Sequence, residues 1–213
     1  MKGAIFDIDG TLVDSLHIWD RLAYDYLRGL GYSPNPSIKD EVREMNLEES
    51  ALYMKEKFQI DREAGTIVKE LKARIRDYYE NRLEARPGLK DHLDRLRQEG
   101  VALCIGTTID QDLALPLLRR LGIYPYFKFI QTEENSGLSK RDPAFFKLAC
   151  QRLASPPEAS YVYEDSYYAL RAAWEAGLKI IALGDRQEGE DREKIGRLAD
   201  YYVSDFNELE EII

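Results

Sequence analysis

The feature that most restricts this chain is its alternation of short apolar runs with amphipathic stretches of helical spacing. Runs at Gly3 to Phe6, Ala102 to Ile105, Tyr161 to Tyr163 and Ile180 to Leu183 are bounded by turn or acidic residues, as strands buried on both faces are. Between them, Lys90 to Glu99, Leu113 to Leu121, Pro143 to Leu153 and Tyr168 to Ala176 place apolar residues three and four positions apart. Gly100, Gly122 and Gly177 follow such stretches, where helices commonly end in a left-handed residue. Strand alternating with helix requires parallel crossovers. Weaker strands at Phe127 to Gln131 and Tyr201 to Val203 bring the expected sheet to about six members. The fold class is therefore α/β, a Rossmann-like parallel sheet with helices on both faces; the pattern leaves the strand order open.

Residues 15–87 interrupt the alternation. Their apolar positions recur at helical spacing over Leu16 to Leu30, Glu48 to Phe58 and Ala64 to Leu83, and no strand pattern stands between Asp14 and Pro87. The expectation is an inserted all-helical domain, 15–87, in a core formed by 1–14 and 88–213, with Arg86-Pro87-Gly88 as the return hinge.

Bulk properties exclude some functions. A chain of 213 residues with 44% hydrophobic content can bury a full core and a smaller second domain. A formal charge of -9 leaves no general basic surface for a phosphate backbone, so nucleic acid is not the expected partner and any anion must be held locally. Gly3 to Phe6 is far too short for a signal-peptide core or a membrane span, and no lipidation motif stands out, so no membrane partner is expected. Cys104 and Cys150 match no metal or redox spacing, which suits buried thiols in a reducing cytoplasm.

Chemistry concentrates at the ends of the apolar runs. Asp7-Ile8-Asp9-Gly10-Thr11 directly follows the first, placing two carboxylates at the strand edge where open parallel sheets bind ligands. Alone, this pair also reads as an acidic turn capping a helix. Glu164-Asp165 follows the run at Tyr161 to Tyr163, and alone reads as an acidic helix cap. Together these acids would repel one another without a cation, and an oxygen-only donor set favours a hard ion such as magnesium. Thr107-Thr108 after the second run and Lys140 before the helix at Pro143 supply the hydroxyl, amides and ammonium that a phosphoryl group needs. A lone threonine cap or solvated lysine is the ordinary alternative for each.

The ordered set resembles the haloacid dehalogenase superfamily along the whole chain. IFDIDGTLVDS, LCIGTT, SKRDPAFF and YVYEDSYYALRAAWEAG resemble the family's four motifs, and the helical insert after the first motif resembles the cap of subfamily I, in the phosphoglycolate phosphatase and beta-phosphoglucomutase-like branch. The resemblance implies a phosphatase with Mg2+ as cofactor and a small phosphorylated metabolite as substrate, working as a monomer or homodimer. It implies Asp7 as the nucleophile that becomes an aspartyl-phosphate, and Asp9 as general acid then base, its backbone carbonyl in the metal shell. Asp165 would bind the metal, with Glu164 in or beside the first shell. Thr107, Thr108 and Lys140 would hold the phosphoryl oxygens, and Gly10 would let the backbone pass close to them unless it is an ordinary turn glycine.

Two departures stand out. The lysine loop of this branch usually reads GKPxP, whereas here Arg141 replaces the first proline, which implies a less rigid loop; Ala169 stands where glycine is frequent. His17, Trp19, Tyr24 and Arg43 are candidates to line a substrate cleft, though a histidine or aromatic on a helix commonly packs instead. The competing functions are a sugar phosphomutase, a dehalogenase and a protein that keeps the fold as a phosphate-ligand binder. The mutases of this branch carry a histidine early in the cap, and His17 falls two positions out of register, with Trp19 nearer the place. A dehalogenase would not need Asp9 or the metal acids, and a binder would not need the full set of catalytic residue types.

Overall fold

The computed structural model of the chain describes residues 1–43, 45–184 and 190–210, the side chains of 190 and 191 excepted. In chain order, β1 (Gly3–Phe6) leads into α1 (Leu16–Gly29), α2 (Ile38–Val42), α3 (Leu47–Phe58) and α4 (Ala64–Asn81). The alternation then resumes with α5 (Leu89–Gln98), β2 (Ala102–Thr107), α6 (Gln111–Arg120), β3 (Phe127–Thr132), α7 (Glu133–Ser136) and α8 (Pro143–Leu153). It ends with β4 (Ser160–Glu164), α9 (Tyr167–Glu175), β5 (Lys179–Leu183), α10 (Glu190–Leu198) and β6 (Tyr201–Val203). No helix among the described residues is long and apolar enough to cross a membrane.

The strands form one parallel sheet of order β3-β2-β1-β4-β5-β6. The order reverses at β1, whose successors lie on one side while β4 lies on the other. In such sheets the crevice outside the carboxyl ends of the reversing strands is the ligand site.

Alternation along β1 assigns its side chains to two cores. Ile5 joins Phe145, Phe146 and Ala149 of α8, Leu170 and Ala173 of α9, and Ile195 of α10. Phe6 faces the other way and stacks on Tyr163 with ring centroids 4.0 Å apart, and Phe206 lies beside both rings. His92 of α5 closes this cluster, its Nε2 2.8 Å from the Tyr163 hydroxyl. Gly106 is small because the sheet is crowded there: a Cβ on it would lie 2.8 Å from Ile5 Cγ2.

β2, β3, β4 and β5 each run further than the expected apolar runs, and in two of them the extension reaches a candidate site residue. β2 extends to Thr107 and β4 to Glu164, so both of these candidate site residues are terminal strand residues instead of loop residues. The cause is pairing, since Thr107 registers with Thr132 and Glu164 with Ala182. The short helices α2 and α7, and α10, where Ile195 is the one buried residue among those described, carry too little apolar periodicity to be read beforehand. In α7 a capping box takes its place, with Thr132 Oγ1 accepting from Asn135 N and Asn135 Oδ1 from Thr132 N, both at 3.0 Å.

The chain divides into two compact units, one of Met1–Asp14 with the chain from Glu84 onward, the other Ser15–Leu83. The smaller unit is helical throughout its described elements. It buries Ile18, Leu22 and Leu27 of α1, Met54 of α3, and Ile67, Leu71 and Ile75 of α4. A capping box between Asn46 and Glu49 fixes the start of α3. The insert was expected to run to Pro87, but residues 84–87 belong to the larger unit. The reason is hydrogen bonding: Val13 and Ala85 form an antiparallel bridge, and Arg86 N donates to Leu12 O at 2.8 Å.

Candidate active site

Register brings the acids together. Phe6 pairs with Tyr163 across the reversal point, so Asp7 and Glu164 stand one step beyond the same rung, at adjacent strand ends. Asp7 is fixed there by its own amide, which donates to Tyr163 O at 2.9 Å. Asp165 follows, and single carboxylate oxygens of Asp7, Glu164 and Asp165 lie within 4.8 Å of one another.

Lys140 reaches this cluster from the loop between α7 and α8. Its Nζ is 2.5 Å from Asp7 Oδ1 and 2.6 Å from Glu164 Oε2, and the side chain is only 2% exposed. The loop is tied down despite lacking the proline: Glu133 Oε1 accepts from Lys140 N at 2.6 Å and from Ser139 Oγ at 2.9 Å. Arg141 lays its guanidinium over the Tyr168 ring, 4.2 Å from the centroid. Beyond it, Asp142 accepts from Ala144 N at 2.8 Å to cap α8. Where the branch has a proline, this loop has hydrogen bonds from Ser139 and Lys140 to Glu133.

The site carries more negative charge than its lysine offsets. Burial, and then the charge of Glu164, push the Asp7 carboxyl up to about 8. Burial followed by Glu164 and Asp7 likewise holds Asp165 well above the usual carboxylate range. Glu164 moves the other way: burial alone would raise it, but the charge and hydrogen bond of Lys140 and the bonds from Ser166 outweigh that. Burial alone would lower Lys140, yet Asp7 and Glu164 hold it above its ordinary value.

A hard divalent cation fits this donor set. The oxygens are carboxylate only, they are buried, and two of the three carboxyl groups bear charge that is disfavoured as the site stands. Glu164 is already engaged, with Oε1 accepting from Ser166 N at 2.9 Å, Ser166 Oγ at 2.5 Å and Asp165 N at 3.2 Å. Asp7 and Asp165 are therefore the side chains best placed to hold an ion, with Glu164 orienting Lys140 and the 164–166 turn.

The remaining expected residues are placed as follows. Thr107 is buried, and its Oγ1 accepts from Ile109 N at 3.2 Å, keeping the hydroxyl proton for another partner. Thr108 is exposed. Asp9 is half-buried and bridges to Val13; its carboxylate is not part of the close acidic group. Gly10 sits at φ 75°, and a Cβ there would lie 2.3 Å from Asp165 Oδ2. Its closest constraint is thus the acidic pair as well as the turn. In the helical unit, His17 and Arg43 are exposed and Trp19 and Tyr24 half-buried. His17 lines a cavity of about 670 Å3 with Arg21, Asp25, Arg74, Asp77 and Arg82, whose charges pair internally as Arg21–Asp25 and Arg82–Asp77.

Four residues that sequence reasoning passed over belong to this neighbourhood: Ser166, Glu133, Tyr168 and Arg86. Ser166 directly follows the acidic pair, and that adjacency was a usable signal. Glu133 and Tyr168 carry none, because their role depends on how separate loops converge. Arg86 was legible only as part of a hinge.

Comparison with known proteins identifies the family. Residues 4–183 match the family model for haloacid dehalogenase-like hydrolases. A phosphorylated carbohydrates phosphatase of Thermotoga maritima is 25% identical over 181 residues, covering 85% of this chain and 84% of that protein. A phosphoglycolate phosphatase of Chromobacterium violaceum is 30% identical over 193 residues, covering 86% and 85%. Among solved structures, CbbY of Rhodobacter sphaeroides, crystallised with phosphate, superposes with a TM-score of 0.78 at 24% identity, covering 99% of this chain and 97% of that one.

Proposed function

The chain belongs to the haloacid dehalogenase-like hydrolases and is a phosphatase of small phosphorylated substrates, and on that footing we propose that it works through an aspartyl-phosphate on Asp7, with magnesium. The observation that carries the reading is the buried Lys140 ammonium, 2.5 Å from Asp7 Oδ1 inside a cluster of three carboxylates. That arrangement orients one carboxylate at a strand end and leaves it in a site deficient in positive charge, which a phosphate ester and its cation would enter.

In this mechanism an Asp7 carboxylate oxygen attacks phosphorus in line and the ester oxygen leaves. Asp9, two residues on, gives a proton to that oxygen and afterwards takes one from the water that attacks the phosphoryl-enzyme. Thr107 donates its hydroxyl to a phosphoryl oxygen, and Lys140 offsets the charge on Asp7 and on the transferring group. Thr108 and the backbone of Gly10 complete the rim of the phosphate site. Asp7 and Asp165 would hold the magnesium, with Glu164 beside them and the Asp9 carbonyl available as a further oxygen, and the ion would neutralise phosphoryl charge. A reducing cytoplasm suits Cys104 and Cys150, which are both buried free thiols.

The test is phosphate release from an aryl phosphate with and without magnesium, for the native chain and Asp7→Asn. Native turnover that requires magnesium, falls by roughly a thousandfold or more in the variant, and is accompanied by a hydroxylamine-labile phosphoryl-enzyme supports the mechanism. Equal turnover by Asp7→Asn sinks it.

A further inference from the structure

Arg86 is a buried cation that the chemistry above leaves unused. It is 8% exposed, yet it lies three residues past the return from the helical unit. Its Nε donates to Gly10 O and its Nη1 to Ser204 O, each at 3.1 Å, and its amide donates to Leu12 O at 2.8 Å. Its neighbours extend the same seam. Ala85 bridges to Val13, Phe206 N donates to Pro87 O at 3.1 Å, and a Cβ on Gly88 would fall 2.5 Å from Asn207 Oδ1. Three segments far apart in sequence, 10–13, 85–88 and 204–207, meet here through backbone bonds, and the Arg86 guanidinium adds side-chain bonds to both Gly10 and Ser204.

The segment that receives it is the one that carries Asp9. Thr11, Leu12 and Val13 all direct their amides to Ile8 O, at 3.3, 2.9 and 3.1 Å, and Gly10 N donates to Val13 O at 3.0 Å. The loop is tight, but Gly10 at φ 75° is its weak point, because a glycine in that region exchanges peptide orientations at little steric cost. A charged donor on the Gly10 carbonyl removes that freedom, and charge-assisted bonds to carbonyls are stronger than neutral ones. The Gly10 carbonyl belongs to the peptide between Gly10 and Thr11, while the preceding Asp9–Gly10 peptide is held by the bond from Gly10 N to Val13 O. With both peptides of Gly10 fixed, the turn directly after Asp9 keeps one shape, and the Gly10 Cα stays against the Asp165 carboxylate.

We propose that Arg86 is a positioning residue for the phosphoryl transfer: through Gly10 it aims Asp9 at the leaving oxygen, and through Ser204 it makes the segment after β6 part of that support. This rests on the phosphatase reading with Asp9 as the acid. No group is transferred to or from Arg86.

The test uses the full chain with Arg86→Met and Arg86→Lys, measuring turnover with magnesium and amide hydrogen exchange without substrate. A nitrophenyl phosphate needs little help from an acid to release its leaving group, whereas an alkyl phosphate needs a proton. Arg86→Met is expected to lower phosphoryl transfer from the alkyl ester by about 10- to 100-fold and from the nitrophenyl ester by only a few-fold, with KM little changed. Protection of amides 10–13 falls at least tenfold while β2 and β5 keep theirs. Arg86→Lys, which can reach one carbonyl but not both, restores part of the alkyl-ester rate, and it carries the test if Arg86→Met does not fold. Equal losses on both esters, or unchanged protection at 10–13, overturn the proposal. Absence of native turnover on either ester overturns the phosphatase reading and the catalytic part of this one, and the exchange result then shows whether Arg86 holds the loop.

Discussion

His92 offers a measurement of how firmly the sheet core excludes a charge. The imidazole is 1% exposed, bonded to the Tyr163 hydroxyl and packed on Phe206. Burial, and secondarily the charge of Arg95, lowers its pKa to about 4. The unfolded chain binds that proton with a pKa near 6.5. Unfolding therefore takes up a proton between these values, and the contribution to stability is complete above about pH 6.5 and lost as pH falls towards 4. Linkage over this interval gives a loss of about 2 kcal/mol between pH 7 and pH 5, rising to about 3 kcal/mol at lower pH. Urea unfolding of the native chain and of His92→Gln at the two pH values isolates the term, because other titrating groups cancel in the difference. His92→Gln should pay a fixed packing cost but lose about 2 kcal/mol less on acidification. Stability curves that run parallel within 0.5 kcal/mol, on the order of error in extrapolated unfolding energies, would refute the assignment of a buried neutral imidazole.

Two further outcomes follow from the site. Lys140→Met removes the buried cation from Asp7 and Glu164, and should lower stability at pH 7 by about 3–5 kcal/mol in the absence of magnesium; an unfolding energy within 1 kcal/mol of native, about the threshold of an ordinary substitution, would contradict the ion triad. Gly10→Ala places a Cβ 2.3 Å from Asp165 Oδ2 at φ 75°, and should weaken magnesium binding by about tenfold or more in a calorimetric titration while costing roughly 1–3 kcal/mol of stability; unchanged affinity would separate Gly10 from the metal site.

Much of the fold was readable because burial on both faces writes itself into the sequence. β1 and β6 fall on their predicted bounds, and the other strands differ by extension at their ends. Those extensions mattered at Thr107 and Glu164, polar residues that no apolar pattern could assign to a strand and that pairing with Thr132 and Ala182 does. The compact units divide between Leu83 and Glu84, four residues before the expected end at Pro87, because hinge chemistry is visible in Arg86-Pro87-Gly88, whereas the bonds that tie Ala85 and Arg86 to Val13 and Leu12 are not.

The sequence by itself determined which residues could do chemistry, since Asp7, Lys140, Glu164 and Asp165 follow apolar strands or precede a helix at places fixed by local pattern. It also determined the class of fold that brings strand ends to one edge. Only the tertiary structure decided how these groups share charge. Whether Glu164 holds an ion or holds Lys140 depends on which oxygens face each other across β1 and β4, and the role of Arg86 depends on carbonyls 76 residues before it and 118 after it. Local propensity acts over a few residues, while electrostatics and hydrogen bonding act over a few ångströms, and folding alone makes those two distances meet.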